Sequence, residues 1–383
     1  MSQKKLTLFA FVDAFGWEIY QKHKFLDDVI VDAKPLETTF GFSSGADPSI
    51  LTGRYPDEHH HWSCFNFNPK ESPFKPFKYL SFLPPVIFER SRVRHWLSKA
   101  FSQWKNYTGY FELYSVPFAH LPYFDYLEKH DYFVPGGIIK TDTIFDWCVE
   151  NQIPYYCSNW RHSEDDILKE NQAEIEKGDI EFCYLYLPKL DGVMHLNGTE
   201  ADVVSEKIAW LDKNIRETLD KANDIYDEVS LYVISDHGMA DVKGDIDLIT
   251  QIKSSGLEYG KDYVAMYDST MARFWFLDEN ARGKIEAILL EVSKGSIVSD
   301  EELKNMHVYF EDGRFGELFF LMEPGYLITP CYMGLKSIPG MHGYHPHDKD
   351  SYAMIASNKE LSEALHSITD IRGVMESELR RSV

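Results

Sequence analysis

Four short apolar runs constrain the fold of this chain most. Residues 6–12, 153–157, 180–187 and 229–234 are each too short for a buried helix and are rich in β-branched or aromatic side chains, so each reads as a buried strand. Helical patterns lie between them at 144–149, 164–177 and 201–222. Strands alternating with helices imply βαβ units, a mostly parallel sheet and helices packed on its faces. Ligands in such sheets gather at the carboxyl ends of strands. Acids and histidines fall at those ends here: Asp13 closes the first run, Asp191 and His195 follow the third, and Asp236-His237 follow the fourth.

Two further points complete the pattern. Ser43 follows a short extended run and precedes a helical pattern, with Pro48 expected near the first helical position. His342 stands late in the chain within Gly340-Met341-His342-Gly343-Tyr344. Asp191 and His195 are four residues apart, which places carboxylate and imidazole on one face of a helix. Seven metal-ligand-type side chains at five separated points suggest a two-metal hydrolytic centre.

Composition narrows the function further. The 383-residue chain carries a formal net charge of -22, which argues against a nucleic-acid scaffold, since phosphate backbones demand a dense cationic surface. It leaves a phosphate-ester substrate open, because bound metal ions supply positive charge that side-chain counting misses. The five cysteines are scattered without CxxC spacing, so neither a disulfide framework nor a thiolate zinc site is expected. Neither a signal peptide nor an eighteen-residue apolar stretch is recognised, and a cytoplasmic protein without a transmembrane segment is expected. Oligomeric state is left open.

The segment Ser43-Ser44-Gly45-Ala46-Asp47-Pro48-Ser49-Ile50-Leu51-Thr52-Gly53-Arg54-Tyr55-Pro56 carries a family resemblance. With Asp13, Asp191-Gly-Val-Met-His195, Ser235-Asp236-His237-Gly238-Met239 and the His342 element, the chain resembles the alkaline phosphatase superfamily, in particular its nucleotide pyrophosphatase/phosphodiesterase branch. The resemblance implies an alkaline-phosphatase-like α/β fold and two divalent metal ions, zinc in first place with manganese open. Asp191, His195 and His342 would hold one ion; Asp13, Asp236, His237 and the Ser43 oxygen would hold the other. It implies Ser43 as nucleophile and hydrolysis of a diester or pyrophosphate through a phospho-serine. The alternatives are a monoesterase or phosphotransferase of the same superfamily, and a non-catalytic binding protein on this scaffold.

Departures from the family are local. Gly45 and Asp47 stand where sulfatases carry Pro and Arg, and Ser replaces the branch's usual Thr nucleophile, with Ser44 as rival. His59-His60-His61 is read as surface or supporting histidines. Residues 1–61, 138–255 and 335–383 are expected to form the hydrolase core, 62–137 an aromatic inserted cap, and 256–334 an inserted α+β subdomain. Arg90, Arg92 and Arg94 are the cap's basic cluster, and no clean amphipathic helix is read there. Ser44, Asp268 and Arg273 are candidate substrate-binding residues.

Overall fold

The computed structural model describes residues 3–82 and 90–380. Its central sheet has six strands in the order Asp32–Leu36, Ala353–Ser357, Glu228–Ile234, Lys5–Val12, Phe182–Leu187, Tyr155–Cys157. The four strands from Glu228–Ile234 to Tyr155–Cys157 run parallel, while Ala353–Ser357 runs antiparallel to both its neighbours. The fold is therefore α/β with a mostly parallel sheet, as expected.

Side-chain alternation along Lys5–Val12 explains the layering. Leu6, Leu8, Ala10 and Val12 point to one face, where they pack with Ile167 and Ile175 of the Glu164–Lys177 helix and with Ile208, Leu211 and Ile215 of Asp202–Ile225. Phe9 and Phe11 point to the other, against Ile50 and Leu51 of the Ser43–Thr52 helix, Ile144 and Phe145 of Ile144–Glu150, and Ile371 and Met375 of Ile371–Arg380. Both faces are covered, which is why the strands read as continuous apolar runs.

The two remaining stretches pack as one body. A second, antiparallel sheet is ordered Tyr263–Asp268, Met271–Phe276, Leu318–Met322, Gly295–Val298. Its Val264, Phe274 and Phe320 share a hydrophobic cluster with Phe65, Phe74, Phe101, Val116 and Phe124 of the cap stretch. Most cap aromatics are thus consumed by packing against this sheet.

Two readings are corrected and one is narrowed. The Ser43–Thr52 helix begins at Ser43, not near Pro48, which lies inside it and withholds the N–H that the Ser44 carbonyl would accept. Of the two roles left open for the histidine triplet, His59 takes the supporting one: it is fully buried, its Nε2 3.0 Å from Ser49 Oγ, and braces that helix. The cap does hold an amphipathic helix, Ser91–Lys105, with Arg94, Ser98 and Phe101 turned inward. No described helix is long and apolar enough to cross a membrane.

Candidate active site

The carboxyl ends of three adjacent parallel strands deliver the acids. Asp13 follows Lys5–Val12 directly, and its N–H donates to the Leu187 carbonyl at 3.2 Å. Asp236 lies two residues beyond Glu228–Ile234. Asp191 and His195 sit on the helix Lys189–Asn197 that follows Phe182–Leu187. His342 follows the two-residue strand Gly340–Met341, which pairs with Ala240–Asp241 and so brings the late motif beside Asp236-His237. The His237 and His342 rings stack with centroids 3.7 Å apart.

Two local backbone features fix this geometry. Ala14 adopts a left-handed φ of 61°, which costs about 1 kcal/mol for a residue with a Cβ. In that turn its N–H donates to Asp236 Oδ1 at 3.1 Å, tying the ends of two strands together. A Cβ on Gly238 would lie 2.2 Å from the Asp350 carbonyl oxygen, so the residue after His237 must be glycine for the loops to meet.

The ligand-type atoms converge. Those of Asp191, His195 and His342 lie within 4.8 Å of one another, and so do those of Asp13, Asp191 and His237. Asp236 Oδ2 is 2.9 Å from His237 Nε2, and Ser43 Oγ is 3.1 Å from the same nitrogen. All seven sequence-derived residues therefore meet at one place, with Asp191 between the two groups.

Hydrogen bonding fixes the imidazole tautomers. His237 Nδ1 is 2.9 Å from the Gly238 carbonyl, and His195 Nδ1 is 2.8 Å from that of Gly340. A carbonyl only accepts, so in the neutral rings each Nδ1 carries the proton and each Nε2 presents a lone pair. Those lone pairs face Asp236 Oδ2 and, at 3.2 Å, Asp191 Oδ1. Asp13 Oδ1, Asp191 Oδ1 and Asp236 Oδ2 are buried without a hydrogen-bond partner. Burial pushes the Asp13 carboxyl well above its usual range, and the charges of Asp236, Asp191 and Asp47 add to that. Burial, with the His237 and His195 rings, holds His342 well below its usual range and so neutral. Lone pairs facing orphaned carboxylate oxygens, among acids that repel one another, form a donor set that fits divalent cations.

The cluster opens onto a cavity of about 550 Å³. Tyr132, Phe133, Trp160 and Tyr186 give it an aromatic wall, Tyr110 and Tyr114 of the cap another, and Lys336 is its one Lys or Arg among the described residues. Tyr186 also donates to Asp13 Oδ2 at 3.4 Å. Sequence reasoning expected the aromatic cap to lie over the site, and Tyr110, Tyr114, Tyr132 and Phe133 belong to that stretch, but it missed Trp160, Tyr186 and Lys336. Only Tyr186 carried a signal, as a polar-tipped ring inside an apolar strand just before the Asp191 helix.

The substrate-binding candidates separate. Ser44 lines the cavity, but its Oγ donates to the Trp62 carbonyl at 3.2 Å. Asp268 lines it too, with Oδ2 held by Arg273 at 2.9 Å. Arg273 is corrected: it is fully buried, and its donors go to Asp268, the Phe65 and Phe315 carbonyls and Ser63 Oγ, leaving none for a substrate. The cap arginines do not line the cavity; Arg94 is buried, donating to the Val116 carbonyl over the Phe118 ring.

A family model described as type I phosphodiesterase / nucleotide pyrophosphatase matches residues 43–345. The chain belongs to that family, whose members hydrolyse phosphodiester or pyrophosphate bonds with two divalent metal ions. Among solved structures it is similar to murine ectonucleotide pyrophosphatase / phosphodiesterase 5, at 15% identity and a TM-score of 0.68, over 98% of this chain and 95% of that one. The human counterpart matches at 14% identity and the same TM-score, over 98% of this chain and 95% of that one. An inactive variant of the murine protein in complex with AMP matches at 15% identity and TM-score 0.68, over 99% of this chain and 95% of that one. No curated protein matches. The protein is a phosphodiester- or pyrophosphate-cleaving hydrolase.

Proposed function

We propose that Ser43 is the nucleophile of a two-metal hydrolase that cleaves nucleotide-like diesters or pyrophosphates through a phospho-serine. The carrying observation is the position of Ser43: first residue of its helix, Oγ 3.1 Å from His237 Nε2, on the wall of the cavity that Asp13, Asp191, His195 and His342 also line.

Asp191, His195 and His342 would hold one ion and Asp13, Asp236, His237 and Ser43 Oγ the other, supplying positive charge to the attacking and leaving oxygens. Mixed nitrogen and carboxylate donors favour zinc, with manganese the second choice. The chain does the rest. Ser43 Oγ bonds to phosphorus as the bond to the leaving-group oxygen breaks, and water later cleaves the Ser43 ester. The Phe42 carbonyl accepts from the Gly45 and Ala46 N–H groups. The Ser43 and Ser44 N–H groups therefore remain at the positive end of the helix for phosphoryl oxygens. Tyr186 orients Asp13, and the Tyr132, Phe133 and Trp160 rings offer a stacking surface for a base, in keeping with the AMP held by the murine relative. A cytoplasmic setting belongs to the same proposal and draws support from five free cysteines.

Trapping decides the assignment. Brief reaction with an aryl nucleotide diester, acid quench and peptide mass analysis should place a phosphoryl adduct on Ser43. An adduct on Ser44, or none on either while turnover proceeds, would overturn it.

A further inference from the structure

The cap's outer face is unlike the rest of the molecule. Residues 70–105 contain eight Lys or Arg (70, 75, 78, 90, 92, 94, 99, 105) against two acids (71, 89), a formal +6 within a chain of -22. Every exposed aromatic side chain among the described residues lies between 79 and 110: Tyr79 at 75%, Phe82 at 79%, Trp96 at 67%, Trp104 at 62% and Tyr110 at 42%. Single exposed apolar side chains mean little, whereas their concentration on one basic module calls for a partner.

The module is held together from inside. Phe77, on the short helix Lys75–Leu80, meets Phe101 of Ser91–Lys105 with ring centroids 5.3 Å apart, and Phe74 meets the same ring at 5.3 Å. On Ser91–Lys105 the inward residues Arg94, Ser98 and Phe101 recur at helical spacing. Arg92, Trp96, Lys99 and Gln103 recur at the same spacing on the outward side and are exposed. Lys105 Nζ lies 4.4 Å over the Trp104 ring. Fixed inner rings thus present outer rings and cations together.

We propose that this outer face of the cap, with Tyr79, Phe82, Trp96 and Trp104 set among lysines and arginines, docks on an anionic lipid bilayer. Trp and Tyr favour the headgroup level of a membrane, and basic side chains beside them draw an anionic surface. A helix face with projecting rings penetrates a headgroup layer, whereas a protein hot spot needs pockets to receive such rings. Tyr110, last of the exposed rings, also lines the cavity, so the docking face runs in sequence into the substrate wall.

Vesicle co-sedimentation of the full chain tests this. Binding to phosphatidylcholine vesicles with about 30% phosphatidylserine should exceed binding to pure phosphatidylcholine by about tenfold or more. It should weaken as salt rises to about 0.5 M. Trp96→Ala with Trp104→Ala should lower the partition by about tenfold, and Arg92→Glu with Lys99→Glu by about 25-fold or more. Both double variants should keep wild-type kcat/KM on soluble bis-p-nitrophenyl phosphate, which shows that they fold. Equal binding to both vesicle types, no binding by active protein, or undiminished binding by either variant overturns the proposal. So does lipid-free self-association that Trp96→Ala with Trp104→Ala abolishes, since the face would then belong to a second copy.

Discussion

Arg273 and Asp268 form a buried ion pair, Nη2 to Oδ2 at 2.8 Å, with Asp268 on the cavity wall and Arg273 behind it. The guanidinium also bridges the cap and the second sheet through the Phe65 and Phe315 carbonyls. Arg273→Met leaves the Asp268 carboxylate buried without its counter-charge and should cost about 3–5 kcal/mol of stability. Arg273→Met with Asp268→Asn should recover part of the loss. Denaturant titration of the three proteins measures both. Equal stability of Arg273→Met and wild type would show that the pair does not brace the wall.

Ser43→Ala should lower kcat by about a thousandfold or more, because it removes the proposed nucleophile. Ser44→Ala should cost less than about tenfold, since its hydroxyl serves the Trp62 carbonyl. Metal content should be nearly unchanged in both. An inactive Ser44→Ala beside an active Ser43→Ala would shift the register by one residue.

Metal removal should destabilise the protein. Asp13, Asp47, Asp191 and Asp236 repel one another in a buried site, and ions bound only by the native state add stability by mass action. Chelation should lower Tm by several degrees, with zinc or manganese restoring it. Elemental analysis should find about two equivalents, and about one in Asp236→Ala. A Tm indifferent to chelator and metal would contradict this donor set.

Glu128, which lines the cavity without being one of the seven ligand-type residues, predicts a pH effect on stability. Burial pushes its carboxyl up to about 8, and the Asp131 charge adds to this while a backbone hydrogen bond at Tyr110 opposes it. The folded state keeps a proton that the unfolded chain releases above about pH 4.5, so this residue's contribution to stability falls as pH rises from there to about 8. Glu128→Gln should remove that slope and stabilise by roughly 4 kcal/mol at pH 8, with little effect at pH 4.5. The difference in Tm between variant and wild type across that range is the measurement. A constant difference would mean that Glu128 does not titrate there.

The cluster was legible because its ligand-type residues obey local rules. Asp13, Asp191 and Asp236 sit at or just past strand ends, and strand periodicity is a short-range signal. The start of the Ser43–Thr52 helix was misjudged because Pro48 favours a first position locally, and tertiary packing of Ile50 and Leu51 on the sheet outweighs its lost hydrogen bond. The wall was legible only in part, as an aromatic cap over the site. Tyr110, Tyr132, Trp160 and Lys336 come from segments far apart in the chain, and which ring faces solvent, core or cavity is decided by packing between them. Arg273 shows the same limit, since the carbonyls it satisfies lie 208 and 42 residues away.

Substrate class follows from that wall. A monoester dianion keeps a third free phosphoryl oxygen and gains from a nearby cation, whereas a diester carries an organic group at that position and tolerates aromatic surface. Among the described cavity-lining residues the rings of Tyr110, Tyr114, Tyr132, Phe133, Trp160 and Tyr186 face a single cationic side chain, Lys336. Arg90, Arg92 and Arg94, the cap's basic cluster, lie outside that lining. Bis-aryl phosphates and aryl nucleotide diesters should therefore be cleaved with kcat/KM about tenfold or more above mono-aryl phosphate, with Trp160→Ala raising KM for the nucleotide diester by about tenfold. Lys336→Ala should lower the residual monoester activity while leaving diester cleavage within about threefold. A monoester preference in the wild type that Lys336→Ala abolishes would reassign the enzyme as a phosphatase, with Lys336 as its phosphate-binding group.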